Sequence, residues 1–249
     1  TGAQVWEHRA DSVMWHQAAV TDGQRIYFMT GDSDINAVNA QTGKDAWSVT
    51  LPGGNQHLSI ASAQGMLYIM GGNGLLYALD PATGGCAWAS EAKFTAASGR
   101  PVLVVKDEFI YVADSNGCSC VSRLDGSTVW SFPLMRPSSA FGLTVHGDTT
   151  YYSSASLVYA LNLSTGKEKW RYVTAGYVWG GPPVAGGTVY VCTYNGLCAL
   201  DAATGGQRWQ CPLRGDFESQ PTVANGVVYC VSRSGKLYAV AAQPEEPKK

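Results

Sequence analysis

The stretch VYALNLSTGKEKW, residues 158–170, places an alternating apolar run ahead of an Asn, a Thr-Gly pair and a Trp four residues after the glycine. The same Gly-to-Trp spacing occurs six times in the chain, at Trp6, Trp47, Trp88, Trp130, Trp170 and Trp209. These tryptophans recur every 39 to 42 residues. A repeat of this kind is one supersecondary unit that buries its apolar face only against its neighbours. The repeat therefore predicts the fold.

Each repeat contains short apolar strands separated by tight turns. In the last repeat, the strands Val227–Val231 and Leu237–Val240 flank a turn at Ser234-Gly235. Asn-Gly pairs mark the equivalent turns at 73–74, 116–117 and 195–196, and two-residue hairpin turns favour this pair because they need positive φ. The third strands end at Asn39, Asp80, Asn162 and Asp201, whose side chains are suited to bonding local backbone. Four strands in ~40 residues are typical of a β-propeller blade.

The two ends of the chain carry complementary parts of one repeat. The chain begins with a fourth-strand motif that ends at Trp6, and its last apolar strand is a third strand, Leu237–Val240. We predict that these strands pair in one blade, because closure removes exposed strand edges. The predicted fold is all-β, a six-bladed propeller of four-stranded antiparallel blades in which the N-terminal strand pairs with the C-terminal blade. Residues 1–242 are predicted to form a single domain, and residues 243–249 a solvated tail.

The pattern A-x-D-x-x-T-G-x-x-x-W, found at 78–88 and 199–209, resembles the PQQ-like repeat family over essentially the whole chain. The resemblance implies that the six motif tryptophans are structural docking residues between neighbouring blades. Asp125 replaces the usual Thr in the fourth copy, which predicts a different local turn. The family contains quinoprotein dehydrogenases, outer-membrane assembly lipoproteins and extracytoplasmic sensor domains of bacterial Ser/Thr kinases. The repeat does not choose among them, because a fold does not specify a function.

Composition excludes several classes of partner. Charged residues make up 14% of the chain, are scattered, and give a net charge of −2. Nucleic-acid binding needs clustered Lys and Arg, so no nucleic-acid partner is predicted. No apolar run approaches the roughly 20 residues of a membrane span, so no membrane insertion of this segment is expected. The chain begins at Thr1 rather than Met, which favours a piece of a longer protein.

Seven cysteines are present, so they cannot all pair within one chain. Cys192 and Cys198 flank a turn and could face each other across a hairpin, whereas Cys118 and Cys120 form a lone C-x-C without a second cluster at zinc spacing. We interpret most of the cysteines as small buried strand residues. Disulfides of an exported protein are the alternative.

Catalytic motifs are absent from the sequence. No two cysteines are adjacent, as the alcohol dehydrogenase branch of the quinoproteins would require, and no long insertion interrupts the repeats. The four histidines, at positions 8, 16, 57 and 146, form no i, i+4 pair of the kind found in zinc proteases. The sequence therefore predicts no enzymatic activity, no cofactor and no metal.

Positions where the repeats differ are free for binding, because packing forces the structural positions to be alike. The segment before each first strand is expected to enter near the central channel. Aligning the copies gives the predicted rim residues Trp15, His16, Gln17, His57, Arg100, Phe141, Trp179, Glu218 and Gln220. Apolar area with a few polar groups is the usual composition of a pocket for a small ligand or peptide. The alternative is that these side chains only plug the channel.

Together these features favour a non-enzymatic module that binds a small molecule, a peptide or a protein. Its predicted role is the extracytoplasmic sensor domain, extracellular or periplasmic, of a larger protein such as a bacterial Ser/Thr kinase, tethered through a segment outside this sequence. Two alternatives remain open: a scaffold that binds another protein through its outer loops, and a quinoprotein dehydrogenase domain.

Overall fold

A computed structural model describes residues 2–12, 19–31, 34–53, 59–95, 101–135, 138 and 140–242, with only the backbone at 140 and 141. Within these ranges the protein contains strands and turns but no helix. None of the described residues therefore belongs to a helix able to span a membrane. The predicted tail, 243–249, lies outside the described residues.

The strands form six antiparallel sheets whose strand order follows the chain. The first sheet contains β1 (Val20–Thr21), β2 (Arg25–Met29), β3 (Asp34–Asn39) and β4 (Asp45–Thr50). The second contains β5 (Ile60–Ala63), β6 (Met66–Met70), β7 (Leu75–Leu79) and β8 (Cys86–Lys93). The third contains β9 (Val102–Lys106), β10 (Phe109–Asp114), β11 (Gly117–Ser122) and β12 (Thr128–Pro133).

The second half of the chain repeats this arrangement. The fourth sheet contains β13 (Ala140–His146), β14 (Thr149–Ser154), β15 (Leu157–Asn162) and β16 (Glu168–Val173). The fifth contains β17 (Val184–Ala185), β18 (Thr188–Thr193), β19 (Gly196–Asp201) and β20 (Gln207–Cys211). The sixth contains β21 (Thr222–Ala224), β22 (Val227–Val231) and β23 (Leu237–Ala241). The prediction of an all-β chain built from four-stranded antiparallel sheets is confirmed for five sheets.

The sixth sheet has three strands in the described part of the chain, and residues 2–10 lie in no strand. The predicted pairing of the N-terminal strand with the last blade therefore stays a prediction, as does the closed six-bladed ring. The chain divides into two compact units, Thr1–Asp114 with Cys120–Val129, and Ser115–Ser119 with Trp130–Lys249.

Apolar clusters between consecutive sheets form the core of each unit. In the first unit, Tyr27, Ile35 and Leu67 belong to a cluster shared by the first and second sheets. In the second unit, Val158 and Val191 join the fourth and fifth sheets. The period-two alternation of strands sends successive side chains to opposite faces, so each sheet contributes to the clusters on both of its sides. Burying one such side chain stabilises the fold by about 1.5–3 kcal/mol.

The Asn-Leu-Ser-Thr-Gly turn of the opening motif joins β15 to β16. The Oδ1 atom of Asn162 accepts the backbone N–H groups of Ser164, at 3.2 Å, and Thr165, at 2.9 Å. Asp201 makes the equivalent turn, and the Arg208 guanidinium beside it, together with the N–H of Thr204, lowers the pKa of this carboxyl group to about 2. An Asn or Asp at this position therefore supplies the acceptor that local backbone donors need.

The fourth copy of the turn differs as predicted. Ser122 takes the position of the Asn or Asp, and its Oγ atom accepts the N–H of Leu124 at 3.2 Å. Asp125 instead accepts the N–H of Ser127 at 3.1 Å. Gly126 keeps a positive φ of 75°, so the turn preserves its course with different side-chain partners.

Five of the motif tryptophans donate an indole N–H to a carbonyl in the following repeat. The Nε1 atoms lie 3.0 Å from the oxygens of Ala40, Pro81, Arg123, Leu163 and Ala202, for Trp6, Trp47, Trp88, Trp130 and Trp170 respectively. Trp209 packs against the cluster between the fifth and sixth sheets, with its ring centroid 6.1 Å from that of Tyr190. Strand β16 contains a bulge next to its tryptophan, where the register with β15 shifts between Ala160 and Leu161. The same bulge recurs in β4, β8 and β20. Bulges increase local twist and re-aim side chains.

The glycine of each Thr-Gly turn provides space for an indole. A Cβ atom at Gly205 would lie 2.6 Å from Cδ2 of Trp170, and the φ of this glycine is +73°. Gly187 has a similar φ of +69°, but its nearest neighbour would be Nη2 of Arg208 at 3.7 Å. The two glycines therefore share a backbone conformation and differ in the room around them.

Gly205→Ala is expected to lower the free energy of unfolding by about 1–3 kcal/mol more than Gly187→Ala. Both variants carry the cost of a non-glycine residue at positive φ, roughly 1–2 kcal/mol, and only the first forces Trp170 to move. Urea unfolding followed by tryptophan fluorescence measures the difference. Equal losses in the two variants would show that the indole does not restrict this turn.

The cysteines are mainly buried strand residues, as predicted. All seven are free, and Cys118, Cys120, Cys192, Cys198 and Cys230 are buried. The expectation that Cys192 faces Cys198 is wrong, because Cys192 pairs with Leu197 and Cys198 pairs with Val191 in the β18–β19 register. Their offset of one position sends the two side chains to opposite faces of the sheet.

Candidate functional site

The predicted rim lies largely outside the part of the chain that the structure describes. Trp15, His16, Gln17, His57 and Arg100 are not described, and Phe141 is described by its backbone alone. The remaining rim residues are Trp179, Glu218 and Gln220, all in the second unit.

These three residues lie on segments that approach one another closely. A Cβ atom at Gly180, the residue after Trp179, would be 2.7 Å from Cβ of Gln220. A Cβ atom at Gly142 would be 1.8 Å from the backbone nitrogen of Gly181. Glycine is required here because the backbones of neighbouring repeats are in contact. The aligned segments are therefore neighbours, as their equivalence in the repeat implies.

Two of the predicted side chains already have protein contacts or partial burial. The carboxylate of Glu218 accepts Nη1 of Arg233 at 3.0 Å, and both side chains are exposed to solvent to a large extent. Trp179 is half-buried, whereas Gln220 is exposed. Exposed ion pairs such as Glu218–Arg233 contribute little to stability, about 0–1 kcal/mol, so Glu218 is available to exchange its partner.

A cleft with polar walls lies in the first unit and was not anticipated from the sequence. Its volume is about 310 Å³. We call it the polar cleft, and its lining residues are His8, Arg9, Ala10, Asp11, Ser12, Thr30, Asp34, Asn36, Asp45 and Ser48. Three carboxylates and two basic side chains belong to this set, so the lining carries a net negative charge.

His8 is a largely enclosed ionisable side chain of the polar cleft, with 19% of its side chain exposed. Its Nδ1 atom lies 3.1 Å from the carbonyl oxygen of Gly43, which can only accept, so Nδ1 carries the proton. Its Nε2 atom lies 3.7 Å from Oδ1 of Asp45. The ring also packs against Phe28, at a centroid distance of 5.5 Å. His8 is therefore held in one orientation, with Nε2 toward the carboxylate.

Asp34 also lines the polar cleft, at the start of β3. Its carboxylate accepts the hydroxyl of Thr50, and its backbone oxygen accepts the N–H of Thr30 at 3.0 Å. Asp34 is half-buried, whereas the Asp45 side chain is 84% exposed. The cleft thus presents a hydrogen-bonded carboxylate at Asp34 and a solvent-exposed one at Asp45, and such acceptors suit a cationic or polyhydroxylated ligand.

A second cleft occupies the equivalent place in the fourth repeat. Its volume is about 430 Å³. We call it the apolar cleft, and its lining residues are Leu134, Met135, Ser138, Ser154, Ala155, Leu157, Tyr159 and Arg171. The backbone N–H of Leu134 donates to the carbonyl oxygen of Asn116 at 2.7 Å, and that of Ser138 donates to the carbonyl oxygen of Ser115 at 2.9 Å. These bonds hold one wall of the cleft in place.

The strand registers show that the two clefts are equivalent. Ala37 pairs with Trp47 in the first sheet as Ala160 pairs with Trp170 in the fourth. Counting from these pairs gives the correspondences Asp34 with Leu157, Asn36 with Tyr159 and Ser48 with Arg171. The repeat therefore builds the same cleft twice, with polar side chains in one copy and apolar side chains in the other.

A sequence signal for the polar cleft exists. The position three residues before the strand alanine is Asp34 in the first repeat, but Leu75 in the second and Leu157 in the fourth. Two other repeats fill this position with leucine, so Asp34 departs from the packing that those copies use. The predicted rim residues lie in a different part of the repeat, before each first strand, and so do not include Asp34.

The described lining residues of the polar cleft do not form a hydrolytic triad. Ser12 and Ser48 line it beside His8 and Asp45, but Nδ1 of His8 is bonded to a backbone carbonyl. A Ser-His-Asp triad needs one imidazole nitrogen for the serine and the other for the carboxylate. Across the described ranges, no group of three or more His, Cys, Asp or Glu side chains is placed to hold a metal ion.

Comparison with known families matches nearly the whole chain. A family model described as the outer membrane protein assembly factor BamB matches residues 1–140, 31–178, 116–196 and 154–244. The chain belongs to this family. The sheets described above are accordingly β-propeller blades of the PQQ-like repeat type, and the resemblance read from the motif is confirmed.

Solved structures similar to this BamB-family chain share its fold at low sequence identity. BamB from Moraxella catarrhalis is 17% identical with a TM-score of 0.57, and the match covers 98% of this chain and 88% of that one. The computationally designed Ika8 protein is 10% identical with a TM-score of 0.65, over 94% of this chain and 85% of the design. These likenesses establish the fold alone.

Curated relatives come from two functional classes. The Ser/Thr protein kinase AfsK of Streptomyces griseus is 30% identical over an alignment of 167 residues, which covers 61% of this chain and 20% of the kinase. The quinoprotein alcohol dehydrogenase PedE of Pseudomonas putida is 38% identical over 47 residues, 19% of this chain and 7% of the dehydrogenase. The chain thus spans a fifth or less of the length of these relatives.

Proposed function

We propose that this chain is a non-enzymatic recognition module that binds a ligand in the polar cleft, as the extracytoplasmic sensor domain of a larger protein. The observation that carries the proposal is the difference between the two equivalent clefts. Packing accounts for leucine and tyrosine at positions 157 and 159, whereas it does not require Asp34 and Asn36 at the same positions of the first repeat. Non-repeated polar groups around a cavity are typical of a binding site.

The sensor role is supported by the kinase relative. The alignment covers most of this chain but only 20% of the kinase, so a region of similar sequence occupies a limited part of a much longer signalling protein. An extracytoplasmic location is supported by a family model that describes an outer-membrane assembly factor. In this role the blades form a rigid frame, and ligand binding alters the equilibrium of the parent protein.

The charge of the cleft defines the ligand class. Asp34 and Asp45 provide acceptors for ammonium groups or hydroxyls, while His8 and Asn36 provide further polar contacts. The carboxylates of Asp34 and Asp45 are thus two acceptors for a donor-rich ligand. Amino sugars, polyamines and lysine-bearing peptides have this chemistry.

A thermal-shift screen with polyamines, amino sugars, muramyl peptides and trilysine tests the proposal. A ligand at about 100 times its Kd stabilises the folded chain by about 2.7 kcal/mol, which corresponds to a rise in melting temperature of about 5–10 °C. Asp34→Asn and His8→Ala should lose most of this rise. Asp148→Asn, which removes the same charge in a turn of the second unit, should retain it.

Two results would contradict the assignment. One is that no member of the panel shifts the wild-type protein, and the other is that the cleft variants respond like Asp148→Asn. The rim prediction is tested in the same screen with Trp15→Ala/Trp179→Ala. A response lost in that variant and kept in Asp34→Asn would move the binding site from the cleft to the rim.

The scaffold alternative is favoured by one specific observation, the apolar cleft. Met135, on its edge, is 98% exposed, and apolar side chains at such a position gain from contact with another protein. Capture of a partner that persists in Asp34→Asn but fails in Met135→Lys would favour the scaffold role. For the quinoprotein alternative, addition of PQQ and calcium should produce no dye reduction.

A further inference from the structure

Two buried cysteines on neighbouring sheets of the second unit lie in direct contact. The Sγ atom of Cys192, on β18, is 3.1 Å from Sγ of Cys230, on β22. Each side chain is 1% exposed, and both belong to the apolar cluster between the fifth and sixth sheets. A disulfide has an S–S length of about 2.05 Å, so the two sulfurs must approach by about 1 Å.

The repeat shows what this position holds elsewhere. The pairing of second and third strands identifies the residues that correspond to Cys192 and Cys230 in other repeats. Met29 and Ile69 correspond to them in one apolar cluster, and Met70 and Val112 in another. Those pairs are apolar and cannot be cross-linked. Packing alone therefore does not explain why both partners are cysteines between the fifth and sixth sheets.

We infer that Cys192 and Cys230 form a disulfide that fastens the sixth sheet to the fifth. The oxidant is a small-molecule or protein disulfide of the kind present in extracytoplasmic compartments. The occurrence of the bond in the cell rests on the extracytoplasmic part of the proposed function. Formation of the bond by the purified chain is independent of the proposed function.

The bond forms by two thiol–disulfide exchanges. The thiolate of Cys230 attacks one sulfur of the oxidant, which gives a mixed disulfide and releases the other sulfur of the oxidant as a thiol. Cys192 then loses its proton, and its sulfur attacks Sγ of Cys230 and releases the remaining half of the oxidant as a second thiol. Two cysteine thiols become one disulfide, and one oxidant disulfide becomes two thiols.

The contact between the thiols favours this order. The S–H of Cys192 donates to Sγ of Cys230, and this hydrogen bond lowers the pKa of the Cys230 thiol. The same hydrogen bond, together with burial, raises the pKa of the Cys192 thiol. Cys230 is thus the thiol that loses its proton first.

The sixth sheet gives the oxidant a route to the buried thiols. It has three strands in the described residues, and Val231 and Leu237 on it are 52% and 69% exposed. A sheet with few buried apolar contacts opens locally more readily than the rest of a domain. The disulfide then closes a segment whose ends are 38 residues apart and opposes further opening.

Alkylation of the denatured chain after equilibration in a glutathione redox buffer tests the inference. Seven cysteines less the predicted pair leave five labels on the oxidised wild type, against seven after reduction. Peptide mapping without reductant should link the Cys192 peptide to the Cys230 peptide. Cys198→Ser, a buried cysteine of the same sheet whose Sγ contacts Tyr172 rather than a thiol, should still form the link.

Reduction should lower the melting temperature by about 5–10 °C in the wild type and in Cys198→Ser. In Cys192→Ser/Cys230→Ser, reduction should leave the melting temperature unchanged. Seven labels on the oxidised wild type, or a link between any other pair, would overturn the inference. Both measurements on the wild type remain valid even if the double variant fails to fold.

The disulfide and the proposed function fail in distinguishable ways. The same label count compares protein exported to an oxidising compartment with protein retained in a reducing one. Five labels on the chain oxidised in vitro establish the disulfide whatever the thermal-shift screen shows. Loss of ligand response in that screen contradicts the function and leaves the label count unaffected.

Discussion

Trp170→Ala should lower the free energy of unfolding by about 3–5 kcal/mol, the usual loss when a large buried aromatic side chain is truncated. The indole is 7% exposed and belongs to the cluster between the fourth and fifth sheets. Its N–H donates to the carbonyl of Ala202 at 3.0 Å, and its ring lies over Gly205. Truncation leaves a cavity between two sheets and a carbonyl without its donor. Urea unfolding monitored by far-ultraviolet circular dichroism measures the loss.

Two control variants separate the contributions. Trp170→Phe keeps much of the buried area and loses the hydrogen bond, which should cost about 1–2 kcal/mol, and the smaller ring adds a further loss of packing. Leu124→Ala removes a side chain that is 85% exposed and should change the free energy of unfolding by under about 0.5 kcal/mol. If Trp170→Ala behaved like Leu124→Ala, the tryptophan would not be a docking residue.

Deleting residues 1–7 should destabilise the protein by about 3–5 kcal/mol or more and promote aggregation. The deletion removes Trp6, whose indole N–H donates to Ala40 at 3.0 Å and whose ring lies over Gly43. It also removes the strand that is predicted to complete the sixth sheet, and an unpaired edge strand invites association between chains. Melting temperature and light scattering measure the two effects.

Trp6→Ala is the matched control, because it removes the docking side chain and leaves the backbone of the predicted strand. The deletion should be more destabilising than this substitution and should aggregate more. Deleting residues 243–249, the predicted solvated tail, should change neither measurement. An N-terminal deletion no worse than Trp6→Ala would contradict the predicted closure of the last blade.

The polar cleft and the rim differ in how visible they are in the sequence. The rim was selected because its residues vary among the repeats, and the described part of it shows backbone contact between Gly180 and Gln220. The polar cleft depends on residues from separate segments, His8 before the first sheet and Asp34 and Asp45 on β3 and β4. No local pattern connects these segments, because they meet only when the motif tryptophan Trp6 packs on the following repeat.

The strands, the turns and the position of each motif tryptophan could be predicted from the sequence. These features are local: alternation of period two sets the faces of a strand, and an Asn or Asp followed by Gly sets the turn, within one repeat of ~40 residues. The same local rules hold in all six copies, so each copy independently supports the same prediction.

Which side chains meet across repeats follows only from the folded structure. It placed Cys192 against Cys230 rather than Cys198, and it built one polar and one apolar cleft from equivalent positions. The physical reason is that contacts between sheets depend on which faces approach and at what offset. Neither quantity is set by the spacing of residues within a single strand and its turn.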